Sequence, residues 1–178
     1  MTISAKEKTK ISVDALEKIS NTDLADLCYN TEQAVKAGGG FGWITVPPRD
    51  ILKKYWNSML LLNTNTLIVG RLNGDIAGSM QLSFFPPNKE AQKTISSIQS
   101  HFVAPWARGY GLAKAMIDYA ILKSKENNKI SIQLDIRETQ TAAIQLFESK
   151  GFIRWGENPK YAFINGNPIK GYYYYRNI

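Results

Sequence analysis

The sequence predicts a mixed α/β fold, and three observations carry that prediction. Residues 130–137, Ile-Ser-Ile-Gln-Leu-Asp-Ile-Arg, alternate apolar and polar side chains with period two, the pattern of a strand with two different faces. Ala113, Met116, Ile117, Ala120 and Ile121 recur at helical spacing directly after a Gly-Tyr-Gly turn. Asn73-Gly74 lies between two apolar runs and marks a hairpin, because both central residues of a type I′ turn need positive φ.

Taken in order, residues 1–10 are polar and expected to be mobile. Ile11 to Leu16 forms a first strand. Asn21-Thr22-Asp23 offers N-cap residues to a helix that presents Leu24, Leu27, Cys28, Thr31 and Val35 on one face. Cys28 reads there as a small core residue. Gly38-Gly39-Gly40 ends this helix, and a loop to Pro48 carries Phe41 and Trp43, which either line a pocket or pack down on the core. A second helix spans Arg49 to Leu61, with Leu52, Tyr55, Trp56 and Met59 on its inner face. The hairpin strands are Leu67 to Leu72 and Ile76 to Phe85. After a loop at Pro86-Pro87 comes a strand from Ile95 to Val103.

Five residues, Ala104 to Arg108, then lead to Gly109-Tyr110-Gly111 and the helix of residues 113–121, whose far end carries Lys123, Lys125 and Lys129 as dipole-compatible cations. The strand Ile130 to Arg137 places Ile130, Ile132, Leu134 and Ile136 on one face and Ser131, Gln133, Asp135 and Arg137 on the other. Thr139 or Gln140 starts a short helix closed by Gly151. Phe152 to Trp155 and Tyr172 to Tyr175 are final strands joined through Asn165-Gly166, the four tyrosines serving as a packing device.

Length and composition narrow the class. With 178 residues the chain suffices for one full core and is short for two, so residues 11–178 are expected to form a single domain. One cysteine excludes an internal disulfide framework, and with one histidine it excludes the usual zinc ligand sets, so no metal is expected. The start, MTISAKEKTK, lacks the apolar core of a signal peptide, and no apolar run approaches the ~20 residues of a membrane span. A cytoplasmic protein without a membrane partner is expected. The net charge of +7 is spread over scattered lysines without a dense basic run, so no nucleic-acid partner is expected.

The chemistry concentrates in Ser97 to Lys114. A glycine turn at a helix start exposes backbone N–H groups that have no intrahelical partner, and with the positive end of the helix dipole they suit a phosphate. Arg108 adds a fixed charge. A dinucleotide fingerprint would need Gly-x-Gly-x-x-Gly directly after a strand. Here Lys114 stands at the third glycine and five residues intervene, although Asp135 lies about where a ribose-binding acid would.

Arg108-x-x-Gly111-x-Ala113 after a strand ending in Val103 instead resembles the acetyl-CoA signature of the GNAT acyltransferases. Gln140-x-x-Ala143-Ile144-x-Leu146-Phe147-Glu148-x-x-Gly151-Phe152 resembles the family's later motif, with Gln140 in place of Asn and Phe147 in place of Tyr. Gly38 to Gly42, Tyr55-Trp56 and Gly156 to Tyr161 look similar to the tabtoxin-resistance branch. The resemblance implies one largely antiparallel sheet with helices on both faces and two splayed central strands. It implies acetyl-CoA as co-substrate, held by Phe102, Val103, Arg108, Gly109, Tyr110, Gly111, Leu112, Ala113 and Lys114 with Gln140 and Phe147.

The acceptor expected is a small-molecule amine, attacked directly in a ternary complex, and a homodimer is open to the chain. Acetylation of a macromolecular amine and a non-catalytic CoA-binding module are the alternatives. Among the catalytic candidates, Asp135 matches a carboxylate of the tabtoxin-resistance branch and is the first choice for a base, the other reading being a structural partner for Arg137 or a lysine. Ser97 occupies a position where many relatives carry a basic Glu. His101, with an unperturbed pKa near ~6.5, stands where relatives place an apolar core residue and is expected to be buried and hydrogen-bonded. Phe147 has no proton to give, which leaves Tyr110 and Tyr161 as distant acid candidates.

Overall fold

A computed structural model describes residues 9–39 and 41–178. The expected mobility of residues 1–10 therefore falls largely outside the described residues. Seven strands form one sheet, β1 (Ile11–Leu16), β2 (Asn65–Leu72), β3 (Asp75–Phe84), β4 (Ile95–Val103), β5 (Ser131–Arg137), β6 (Ile153–Ile164) and β7 (Asn167–Asn177), in the order β1-β2-β3-β4-β5-β7-β6. Every neighbouring pair is antiparallel except β4 with β5. Helices α1 (Asn21–Lys36) and α2 (Arg49–Met59) cover one face, where Leu27, Leu52 and Trp56 pack on Leu67, Val69 and Phe102. Helices α3 (Leu112–Glu126) and α4 (Thr141–Ser149) cover the other, where Met116, Ile117 and Phe147 pack on Ile68, Met80, Leu82 and Leu134. Trp56 is wholly buried, and its Nε1–H donates to Thr31 Oγ1 at 3.1 Å, so the indole leaves no polar orphan.

Several boundaries differ from the sequence reading, each for a local reason. The cap of α1 is Ser20, whose Oγ accepts from the Asp23 N–H at 3.0 Å, and Asn21 to Asp23 already belong to the first turn. Ile130 lies outside β5 and is exposed, because its N–H bonds to Thr94 O in the approach to the strand. The last hairpin is far longer than the apolar runs suggest. Pro159 and a polar stretch hide the second half of β6, an edge strand where proline costs no ladder bond. Asn165 and Gly166 both have positive φ, as the hairpin turn requires. Tyr174 alone of the four tyrosines is fully buried.

Two irregularities open the sheet at its centre. β4 and β5 pair over Ile95 to Ser97 opposite Ser131 to Gln133 and then part, so residues 98–103 have no strand beside them on that edge. β4 also bulges: Gln99 faces Gln81 while Phe102 faces Ser79, and Ser100 takes a φ of 49°. Ile98 packs with the α3–α4 layer, yet Phe102, four residues on, packs with the α1–α2 layer. In a regular strand these two side chains would share a face, so the bulge reverses the alternation at the gap.

Candidate active site

Two cavities meet in this gap. The first, of about 650 Å³, is lined by Phe102 and Val103 of β4, by Arg108, Gly109, Gly111, Leu112, Ala113 and Lys114, and across the gap by Gln140 to Ala143 and Leu146. Its ionisable lining consists of Arg108, Lys114 and His101, with no carboxylate. The first intrahelical bond of α3 runs from Ala115 N–H to Gly111 O at 3.0 Å, so the N–H groups of Leu112, Ala113 and Lys114 precede the helical ladder. Gly111 caps the helix with a φ of 81°, a conformation that favours glycine, and the space beyond its α-carbon is open. The fit to an acyl-CoA follows from this donor set: backbone N–H groups, a helix N-terminus and two cations around one open cavity. Tyr110 does not line either cavity and stands half-exposed on the surface.

The second cavity, of about 550 Å³, lies on the other side of the gap. Phe41, Gly42 and Ile44, the end of β5, and Tyr161 to Ile164 of β6 form its walls. Asp135 and Arg137 both line it, together with Leu134 and Ile136, because the cavity runs along the edge of β5 that β4 leaves unpaired. The Tyr161 hydroxyl donates to Asp135 Oδ2. Burial first, then the hydrogen bond to Asp135 and its charge, push the phenol well above its usual range, so Tyr161 keeps its proton at any physiological pH.

A distortion of the last hairpin creates this contact. Between Asn158 opposite Gly171 and Ala162 opposite Ile169, β6 advances four residues while β7 advances two. The surplus carries Tyr161 over β7 at Gly171, where an added Cβ would lie 2.1 Å from the Tyr161 ring. Gly171 is thus the slot through which the ring reaches Asp135. Sequence reasoning missed it. The available signal was Pro159 within an extended run, a residue that marks a bulge or an edge.

His101, Gln140 and Ala143 line both cavities and mark their junction. His101 departs from its expected state. Its Nε2 is shielded from solvent and has no hydrogen-bond partner among the described residues, because the bulge turns the ring towards α4, where it meets Phe147 edge-on at 5.5 Å. Burial lowers its pKa to about 4, so the imidazole is neutral at pH 7. Phe147 is buried between His101 and Phe152 and lines the second cavity, not the first. Gln140 Nε2 donates to Gly38 O at 2.7 Å, and Arg137 Nη2 donates to Phe41 O at 3.2 Å. These bonds tie Gly38 and Phe41 to the β5–α4 side of the gap. Phe41 satisfies both readings of its loop at once, packing against Trp43, Tyr55, Trp56 and Phe102 while lining the second cavity.

Residues 29–152 match the family model described as the acetyltransferase (GNAT) family. The chain belongs to the GNAT family. It is 42% identical over 132 residues, 74% of this chain and 79% of the other, to an N-acetyltransferase from the hisH–hisA intergenic region of Azospirillum brasilense. Among solved structures it resembles an N-acetyltransferase from Staphylococcus aureus, with a TM-score of 0.79, 17% identity and coverage of 94% and 98% of the two chains. It also resembles a GNAT phosphinothricin acetyltransferase from Sinorhizobium meliloti in complex with acetyl-CoA, with a TM-score of 0.77, 18% identity and coverage of 94% and 88%. At these identities the structural likeness concerns the fold alone, and the expected mixed sheet with splayed β4 and β5 is the GNAT arrangement. The enzyme class is that of the family, acetyl-CoA-dependent acetyl transfer. No helix among the described residues is long and apolar enough to cross a membrane.

Proposed function

We propose that this GNAT enzyme moves the acetyl group of acetyl-CoA to the amine of a small molecule by direct attack in a ternary complex. The observation that carries the proposal is the meeting of a cationic, backbone-lined cavity and an Asp135-containing cavity at His101 and Ala143, where β4 leaves β5. The turn from Arg108 to Lys114 takes the pyrophosphate, and the free edge of β4 takes the pantetheine amides. Ala104 N–H donates to Ala77 O at 2.8 Å, towards β3. Successive N–H groups of a strand point to opposite edges, so Val103 N–H faces the gap and can polarise a thioester carbonyl there.

The reaction forms one C–N bond and breaks one C–S bond; the amine loses a proton and the thiolate accepts one. Asp135 holds the incoming ammonium and takes its proton, directly or through water. Tyr161 keeps the carboxylate oriented. The neutral His101 at the junction offers a second polar group to the reacting atoms. Direct attack is favoured because the lone cysteine, Cys28, is buried beneath α1 in the opposite core layer, its thiol pushed up by burial, and so serves no acyl-enzyme step. A small acceptor is favoured because the second cavity has the size of a small-ligand site, with Phe41, bonded through its carbonyl to Arg137, forming part of its wall. The likeness of Gly38 to Gly42 and of Asp135 to the tabtoxin-resistance branch supports the same reading.

Incubation with acetyl-CoA and a panel of amines, reading released thiol and the mass of the acetylated product, tests it. At least one small amine should give thiol release in step with product. Acetyl-CoA that binds but is never consumed with any amine would make the chain a CoA-binding module instead.

A further inference from the structure

We propose that the acceptor is a free amino acid, its amine received by Asp135 and its carboxylate by Arg137. The proposal rests on the acetyltransferase reading and names the substrate class of the same site. Asp135 and Arg137 project from the same face of β5, two residues and so about 6.7 Å apart along the strand, and both line the second cavity. Despite opposite charges they form no salt bridge with each other. Asp135 instead accepts the Tyr161 hydroxyl, and Arg137 spends one N–H on Phe41 O. A guanidinium carries five donors, so Arg137 faces the cavity partly buried, with donors to spare and no carboxylate partner among the described residues.

A partly buried cation without an anion is costly unless a ligand supplies one. A fork of donors matches a carboxylate bidentately. A ligand with an ammonium and a carboxylate two bonds apart satisfies both groups at once. A simple amine leaves the guanidinium unmet, and the N-terminus of a peptide presents an amide where the carboxylate would lie. The other walls mix apolar groups, Phe41, Ile44, Phe163 and Ile164, with Gln99, Ser100 and Gln140, so an apolar side chain finds surface to pack on.

The test compares L-leucine, L-methionine and L-phenylalanine with their primary amides and with the corresponding decarboxylated amines, as acceptors for wild type and for Arg137→Gln. Wild type should favour the amino acids by about 10- to 100-fold in kcat/KM, the worth of a charge-assisted contact, and Arg137→Gln should erase the preference. A second readout needs no turnover: calorimetry of the N-acetyl amino acids against the N-acetyl amino acid amides on wild type with CoA present. The carboxylates should bind at least about 10-fold tighter. Equal or better use of the amides or amines, equal binding of the two acetylated sets, or a preference that survives in Arg137→Gln overturns the proposal. Selective carboxylate binding without acetylation of any amine would uphold this pocket and refute the transferase reading, so the two failures are distinguishable.

Discussion

The two cavities are built from different materials. On the donor side the groups suited to phosphate and pantetheine are mostly backbone, a glycine turn, the first N–H groups of α3 and the unpaired edge of β4, from one run ending at Lys114, while Ala34 to Gly39 and Thr139 to Leu146 close the cavity. The acceptor side is mostly side chains, drawn from the 41–44 loop, the β4 bulge, β5, α4 and the β6 hairpin, over a stretch from Phe41 to Ile164. Backbone recognition suits a ligand that never changes, because it depends on chain conformation and tolerates few residues. Side-chain recognition can be retuned position by position without disturbing the sheet. Substitutions on the two sides should therefore fail in different ways, one in acetyl-CoA affinity and the other in turnover.

The largest effect is expected at Gly111. Gly111→Glu forces a side chain into positive φ and sets a carboxylate where phosphate should lie. Calorimetry should show acetyl-CoA affinity reduced by more than ~10²-fold in a protein with unchanged circular dichroism, since each lost anion contact is a strong one. Its counterpart is Asp135→Asn, which keeps the shape of the acceptor side and removes its charge. Acetyl-CoA should still bind, whereas kcat with the best amine should fall by about 10²- to 10⁴-fold, the usual worth of a positioned base. Loss of acetyl-CoA binding in Asp135→Asn would dissolve the division between the two sides.

That division also explains what could be read from the chain. The donor turn was legible because its geometry is written in six consecutive residues, Arg108 to Ala113, with glycines at both positive-φ positions and an arginine beside them. The strand, hairpin and helix signals around it were local too, and they gave the α/β class and most elements. The acceptor side was not legible, because its contacts join residues far apart in sequence: Arg137 to Phe41, Gln140 to Gly38 and Tyr161 to Asp135. Gln140, expected at the cofactor, lines both cavities and also donates its amide N–H to Gly38 O. The bulge at Ser100 had no signature, since serine rarely adopts positive φ and a regular strand fitted the apolar pattern.

A smaller effect is expected at the Tyr161 slot. Tyr161→Phe should lower kcat/KM for the amine about 10-fold, the worth of one hydrogen bond to a charged group. Gly171→Ala should match it, because the new Cβ displaces the ring. The double variant should be no worse than either single one, since both break the same contact. Additive losses would show that Gly171 acts elsewhere.

A last effect, on stability and not on turnover, concerns the junction. His101 titrates near 4 in the folded protein and near 6.5 when unfolded, so the unfolded chain binds more protons between these values. The stability tied to its neutral form is complete above pH 6.5, is lost as pH falls towards 4 and is constant below that. The size is on the order of 2–3 kcal/mol. Denaturation of wild type and His101→Asn from pH 7 to 4 should show the wild type losing more stability by that margin. Parallel pH profiles would mean that the ring is not held neutral.

The central claim is that the acetyl group passes directly between the two cavities where β4 leaves β5. Initial rates of thiol release, measured over a grid of acetyl-CoA and amine concentrations, test it most directly. Intersecting double-reciprocal lines, with no thiol released before amine is added, are the predicted result. Parallel lines, with a stoichiometric burst of thiol from acetyl-CoA alone, would reveal an acyl-enzyme and contradict it.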